Sequence, residues 1–213
     1  MAKEIIKIDL SDDGENVTLK FSDGESIRLS SYDWYGLKFG RKCGEISDSE
    51  YEMLTRLEEC TRAKNKLLSL LSYSGNSRKG FEKKLKRYEF SDEAIEYALD
   101  FAEDKKLIND ESYAEALIYE LAEIKKYGPI RISAEAYRHG VSKSITEQIV
   151  EKYYEKDEKG LCLFDRNMYE MAIAKAKNLD LSDKAGRDKL FAALNRLGYE
   201  FSRISKLRFN KKQ

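Results

Sequence analysis

Proline is almost missing from this chain, with one in 213 residues. Such a sequence suits long helices ended by caps and glycines rather than by breakers. Cysteine is scarce too. Cys43, Cys60 and Cys162 are odd in number and widely spaced, which supports neither a disulfide framework nor a zinc site, so free thiols are expected. Net charge is lacking as well: 39 basic residues cancel 39 acidic ones, and the total predicts no polyanionic partner. No apolar run approaches the ~20 residues that span a bilayer. The start, Met1-Ala2-Lys3-Glu4-Ile5, has no signal-peptide core, so the cytoplasm is the expected location. Walker A, GxGxxG and HExxH patterns are missing. His139 is the only histidine, and it falls in a helix end before Gly140 with no nucleophile or acid in a recognisable motif. No catalytic residue, metal or cofactor is therefore expected, and the chain does not read as an enzyme.

What is present is charge in blocks and apolar residues in register. Over 60–90 there are nine Lys/Arg against two Asp/Glu, over 91–127 four against eleven, and over 161–213 twelve against six. Such blocks act as local fields whatever the total. Residues 5–29 alternate as β structure. Ile5, Ile6, Ile8 and Leu10 form one apolar run, Val17, Leu19 and Phe21 a second, and Ile27 and Leu29 a third. Asp13-Gly14 and Asp23-Gly24 lie between them, where hairpins need positive φ. A three-stranded meander is expected, covered by a short helix carrying Tyr32, Trp34, Leu37 and Phe39 and stopped by Gly40. Ser47-Asp48-Ser49-Glu50 is a capping box opening a long helix, which Gly75-Asn76-Ser77 breaks.

The rest repeats. Phe81 and Leu85 precede Arg87-Tyr88-Glu89-Phe90, Ile132 and Ala136 precede Arg138-His139-Gly140-Val141, and Leu190 and Leu194 precede Arg196-Leu197-Gly198-Tyr199. A longer amphipathic helix comes before each (60–74, 111–127, 165–178), and a third begins near Ser91, Ser142 or Phe201. Each unit is helix–helix–turn–helix of about 50 residues, too small to bury its stripe without neighbours. The expected fold is mainly α: three tandem three-helix repeats in an elongated, curved array, with a small N-terminal β-meander module. The boundaries read as 1–46 (β module with short helix), 47–108 (linker helix and repeat 1), 109–160 (repeat 2) and 161–213 (repeat 3). In the middle copy Asn109 or Asp110 caps one helix, Gly128 ends it in a left-handed conformation, and Pro129 opens the next.

Leu107-Ile108-Asn109-Asp110-Glu111-Ser112-Tyr113-Ala114, with Gly128-Pro129-Ile130-Arg131-Ile132 and Arg138-His139-Gly140-Val141, resembles the signature of the RecX regulators of the RecA recombinase. The resemblance runs from about residue 60 to the C-terminus. Departures are Lys106 and Glu89 where glycine is common, Ala136 where leucine is, and Tyr73-Ser74-Gly75 where an arginine usually precedes Ser77. The resemblance implies a monomeric regulator, active in DNA repair and the SOS response. It would lie along the helical groove of a RecA filament on single-stranded DNA, mainly inhibiting strand exchange, ATP turnover and co-protease activity. The alternative is a helical-repeat protein that binds DNA directly.

The candidate contact residues are basic. Lys79, Lys83 and Lys86 form one helical stripe, widened by Arg78, Lys84 and Arg87. Arg131 and Arg138 bracket the middle helix. Arg203, Lys206, Arg208, Lys211 and Lys212 form a C-terminal stripe near Tyr199 and Phe209. Each also has a plain reading as solvated surface. Tyr127, Tyr153 and Tyr154 stand between packing and interface anchoring.

Overall fold

The computed structural model describes residues 3–39 and 42–207. The chain divides into two compact units, Met1–Ile108 and Asn109–Gln213.

In the first unit, β1 (Lys3–Leu10), β2 (Asn16–Phe21) and β3 (Ser26–Ser30) form an antiparallel meander, with Gly14 and Gly24 at φ 71° and 88° in its turns. Expectation and structure differ at the edge. A fourth strand, β4 (Gly44–Ile46), pairs with β1 and gives the order β3-β2-β1-β4. At three residues it is too short for alternation to reveal. A bulge between Ile5 and Lys7 breaks the period of the first apolar run: Ile5 is buried, whereas Ile6 and Leu10 are exposed.

Helix α1 spans Ser31–Gly36, capped by Ser30, and stops at Leu37, whose backbone is extended (φ −70°, ψ 146°). It ends before Leu37 and Phe39, and Gly40 lies outside the described residues. The capping box opens α2 (Asp48–Leu71) as the spacing predicts: Ser47 N–H donates to Glu50 Oε2 at 2.7 Å, and Glu50 N–H to Ser47 Oγ at 3.3 Å. The N-terminal half of α2 covers the sheet. Leu54 is buried there, and Tyr51 meets Phe21 edge-on at 5.4 Å. Its other half inserts Cys60, Ala63 and Leu67 among Phe81 and Leu85 of α3 (Arg78–Lys86) and Ala94, Ile95, Ala98 and Leu99 of α4 (Asp92–Asp104). Two links, the first buried and the second partly so, weld the parts. Ser30 N–H donates to Thr61 Oγ1 (3.1 Å), and the Tyr97 hydroxyl donates to Asp33 (2.7 Å). The sheet is thus a cap that shares a helix with the first repeat.

The second unit holds two repeats. Helix α5 (Asp110–Tyr119), capped by Asn109, runs into a π-helical turn over Glu120–Ile124. Then come α6 (Pro129–Arg138) and α7 (Lys143–Lys152), the latter capped by Ser142. Repeat 3 is α8 (Leu163–Ala176), α9 (Lys184–Arg196) and α10 (Phe201–Ile204). Ile118, Leu121, Ile132, Val141 and Phe164 lie in one core, and Met168, Leu190, Leu194 and Tyr199 in the next.

The left-handed turn at the end of α5 falls on Lys126 (φ 54°), not on Gly128, which is extended at φ −77°. Gly128 has another reason to lack a side chain. A Cβ there would lie 2.3 Å from the Gly198 carbonyl oxygen, and one at Gly198 (φ 89°) would lie 2.4 Å from Arg131. The two glycines let backbones meet: Gly128 N–H donates to Leu197 O (2.8 Å), and Ile130 N–H to Gly198 O (3.2 Å). Asn167 and Tyr199 complete the seam, donating to the carbonyls of Ala122 and Lys126 (both 2.7 Å), next to the π-turn. Repeats 2 and 3 are therefore joined by main chain.

Candidate partner-binding surface

The first cluster is built on α3. Ser77 caps it, its Oγ accepting from Gly80 N–H at 3.0 Å, and Phe81 and Leu85 face the core. Their spacing turns Lys79, Lys83 and Lys86 outward on one exposed stripe, with Arg87 exposed at the helix end. Lys86 reaches Glu82 (2.9 Å) and Asp92 (3.4 Å), which hold its ammonium pKa above the ordinary lysine value. The charged ends of Lys79, Lys83 and Arg87 take no ion pair among the described residues.

Arg78 is different. It turns toward α4 and meets Glu96 (2.5 Å), Asp100 (2.9 Å) and Glu103 (2.7 Å), a run of carboxylates on one face of that helix. Burial alone would lower its pKa, but the three carboxylates outweigh that and raise it. Arg78 therefore offsets part of the acidic block inside its own repeat. Two cations of α2 lie over rings in the turn after α3. Lys66 sits 4.0 Å from the ring centroid of the half-exposed Tyr88, and Arg62 lies 5.8 Å from that of Phe90. Sequence spacing does not show these pairs, because they form across the fold.

In repeat 2, Arg131 is held locally. Its guanidinium lies 3.9 Å from the Tyr127 ring centroid, Nη1 donates to Arg196 O (3.2 Å), and Nε is 3.7 Å from Glu135. Arg138 reaches the same Glu135 at 3.4 Å, yet its side chain stays 72% exposed. His139 caps the C-terminal end of α6, with Nδ1 3.0 Å from the Tyr113 hydroxyl. The outward stripe of α6 is apolar: Ile130 is 56% exposed, Tyr137 73%, and Ala134 between them is exposed as well.

In repeat 3, Arg203 bonds to Asp165 (2.6 Å), contacts Cys162 Sγ (3.4 Å) and stacks 5.0 Å from the Tyr154 centroid. Burial would raise the Asp165 carboxyl, but the Cys162 thiol and the Arg203 charge together hold it below the ordinary value. Lys206 is exposed, and Arg208, Lys211, Lys212 and Phe209 lie outside the described residues. Tyr153 and Tyr154 both pack against Phe164.

Lys79, Lys83, Lys86 and Arg87 share a face, whereas Arg78, Arg131 and Arg203 are tied to partners within their own units. The free thiols match expectation, with Cys43 exposed and Cys60 and Cys162 buried. Among the described residues no group of three or more His, Cys, Asp or Glu side chains is placed to hold a metal ion, and no helix is long and apolar enough to cross a membrane.

Two family descriptions match in tandem: "RecX, first three-helix domain" over residues 63–101, and "RecX, second three-helix domain" over 109–149. The chain is 32% identical over 137 residues to the regulatory protein RecX of Caldanaerobacter subterraneus subsp. tengcongensis, covering 63% of this chain and 68% of that one. It is 27% identical over 168 residues to that of Clostridioides difficile, covering 78% and 76%. In fold it is similar to a crystal structure of regulatory protein RecX, with a TM-score of 0.73 at 16% identity over 97% of this chain and 98% of that one. It is also similar to RecX from Lactobacillus salivarius, with a TM-score of 0.57 at 22% identity over 70% and 93%. Tandem three-helix units, a shared linker helix and this sequence identity converge: the chain belongs to the RecX family of regulatory proteins.

Proposed function

We propose that the chain regulates a RecA recombinase by binding in the helical groove of the RecA filament on single-stranded DNA. Its main effect would be to inhibit strand exchange, ATP turnover and co-protease activity during DNA repair and the SOS response. Beyond family membership, the observation that carries this reading is the α3 stripe. Three lysines at i, i+4 and i+7 with an arginine at the helix end give a row of cations about 10 Å long, suited to phosphates or to acidic protein on a filament. Lys66 and Tyr88 extend it with a cation and a half-exposed ring. Arg138 and Lys206 are the further exposed candidates. Arg78, Arg131 and Arg203 serve by holding the repeats in shape. The nucleotide hydrolysed belongs to RecA, and the working location is the cytoplasm, with the chain acting as a monomer.

The test is RecA ATPase on single-stranded DNA with stoichiometric protein added. A falling rate and shorter filaments are expected; an unchanged rate and filament lifetime would remove the reading. Direct DNA binding is the second reading, favoured by the same lysines. It does not follow the helix-turn-helix pattern, in which the last helix enters the groove. Helix α4 carries six acids and no base, and Arg203 of α10 is engaged with Asp165. A DNA contact through α3 would add affinity to filament binding.

A further inference from the structure

The sequences of the second helices of the three repeats can be set in register through their core pairs, Phe81/Leu85, Ile132/Ala136 and Leu190/Leu194, all fully buried. The outward positions then correspond as well. Lys79, Lys83 and Lys86 in repeat 1 stand where repeat 2 has Ile130, Ala134 and Tyr137 and repeat 3 has Asp188, Ala192 and Asn195, all exposed. The fold is therefore content with lysine, aspartate or asparagine at these places. An isoleucine and a tyrosine there, 56% and 73% exposed, answer to something other than packing.

We infer that the Ile130, Ala134 and Tyr137 stripe is a protein-docking face, and that its occupant is an apolar segment of the partner protein carrying a carboxylate at its edge. The stripe covers two helical turns, about 10 Å, the length that apolar anchors at i and i+7 on a partner helix span. The edge is defined by charge. Glu135 is held between Arg131 and Arg138 with its side chain only 17% exposed, so Arg138 is the charge that a partner meets. A phosphate chain fits poorly here. Arg131 is spent on Tyr127 and the Arg196 carbonyl, and the stripe itself carries no cation. The seam to repeat 3 fixes α6 at its N-terminal end: Gly128 and Ile130 N–H groups are bonded to the Leu197-Gly198 backbone. The face is thus presented on a rigid element and loses little entropy on binding.

This inference rests on the RecA reading for the identity of the partner. The test measures binding of the full chain to RecA filaments on single-stranded DNA, held with a non-hydrolysable nucleotide, and separately to single-stranded DNA alone. Thermal melting checks each variant. Ile130→Ser/Tyr137→Ser is expected to weaken filament binding about tenfold, equally at low and high salt, with the melting temperature kept. Tyr137→Phe is expected to bind as the parent does, and Arg138→Glu about threefold more weakly. Wild-type binding with an undiminished Ile130→Ser/Tyr137→Ser variant would overturn the inference while leaving the RecA reading intact. A loss that appears equally on DNA alone would make nucleic acid the occupant and overturn it too. No wild-type binding to the filament would remove the RecA reading, and this face's partner with it.

Discussion

Repeats 1 and 2 share a helix–helix–turn–helix plan and place different chemistry at the same positions. The N-cap of α3 is Ser77, whose hydroxyl binds Gly80 N–H; that of α6 is Gly128, which makes no side-chain cap and receives the backbone of repeat 3 instead. The turn after α3 puts Glu89 at φ 61°, and the turn after α6 puts Gly140 at φ 81°. The outward stripe is lysine in one and apolar in the other. The buried positions are the common part, Phe81 and Leu85 against Ile132 and Ala136. A small core defines the unit, and what differs around it shows where each unit meets a neighbour or a partner.

Exchanging equivalent residues tests that comparison, and the N-caps carry the largest effect. Gly128→Ser brings in a good cap but drives its Cβ to 2.3 Å from Gly198 O, so a loss of about 1–3 kcal/mol is expected from overpacking. Ser77→Gly, the reverse exchange, should cost only a few tenths of a kcal/mol. Denaturant unfolding of the two variants measures the asymmetry; equal losses would mean that the seam between repeats 2 and 3 contributes little. Next is Arg78, bound to three carboxylates of α4 where its counterpart Pro129 has none. Arg78→Ala should destabilise the first unit by about 1 kcal/mol, less at high salt, because these are surface pairs acting as a network. A salt-independent loss in the melting curve would point to packing of the side chain instead. The turns come last among the paired exchanges. Glu89→Gly relieves a left-handed residue and should stabilise by about 0.5–1 kcal/mol, whereas Gly140→Glu should destabilise by a similar amount.

Much of the fold was legible because it is written in local spacing. The core pairs four apart, the Ser47–Glu50 box and the caps Ser77, Ser91, Asn109 and Ser142 all act within one or two turns. What spacing does not carry is contact across the chain. The bonds from Arg78 to Glu96, Asp100 and Glu103, from Arg131 to the Arg196 carbonyl and from Arg203 to Asp165 run between different helices, and they turn these three arginines from apparent surface charges into structural ties. The role of Gly128 was misread for the same reason, since its neighbour Gly198 lies 70 residues on. Strand β4 escaped notice because it has three residues, and the π-turn because helical periodicity runs through it. The apolar stripe of α6, by contrast, was visible in principle: setting the repeats in register places Ile130, Ala134 and Tyr137 against the three lysines.

The central claim is that one helical position serves electrostatic contact in repeat 1 and apolar contact in repeat 2. The salt dependence of filament affinity tests it most directly, comparing wild type with Lys79→Glu/Lys83→Glu/Lys86→Glu and with Ile130→Ser/Tyr137→Ser. The lysine variant should lose about 100-fold at low salt and flatten the log–log slope, by roughly 0.7–0.9 for each phosphate contact removed. The apolar variant should keep the wild-type slope at lower affinity throughout. Parallel slopes for wild type and the lysine variant, or a flattened slope for the apolar one, would contradict the division.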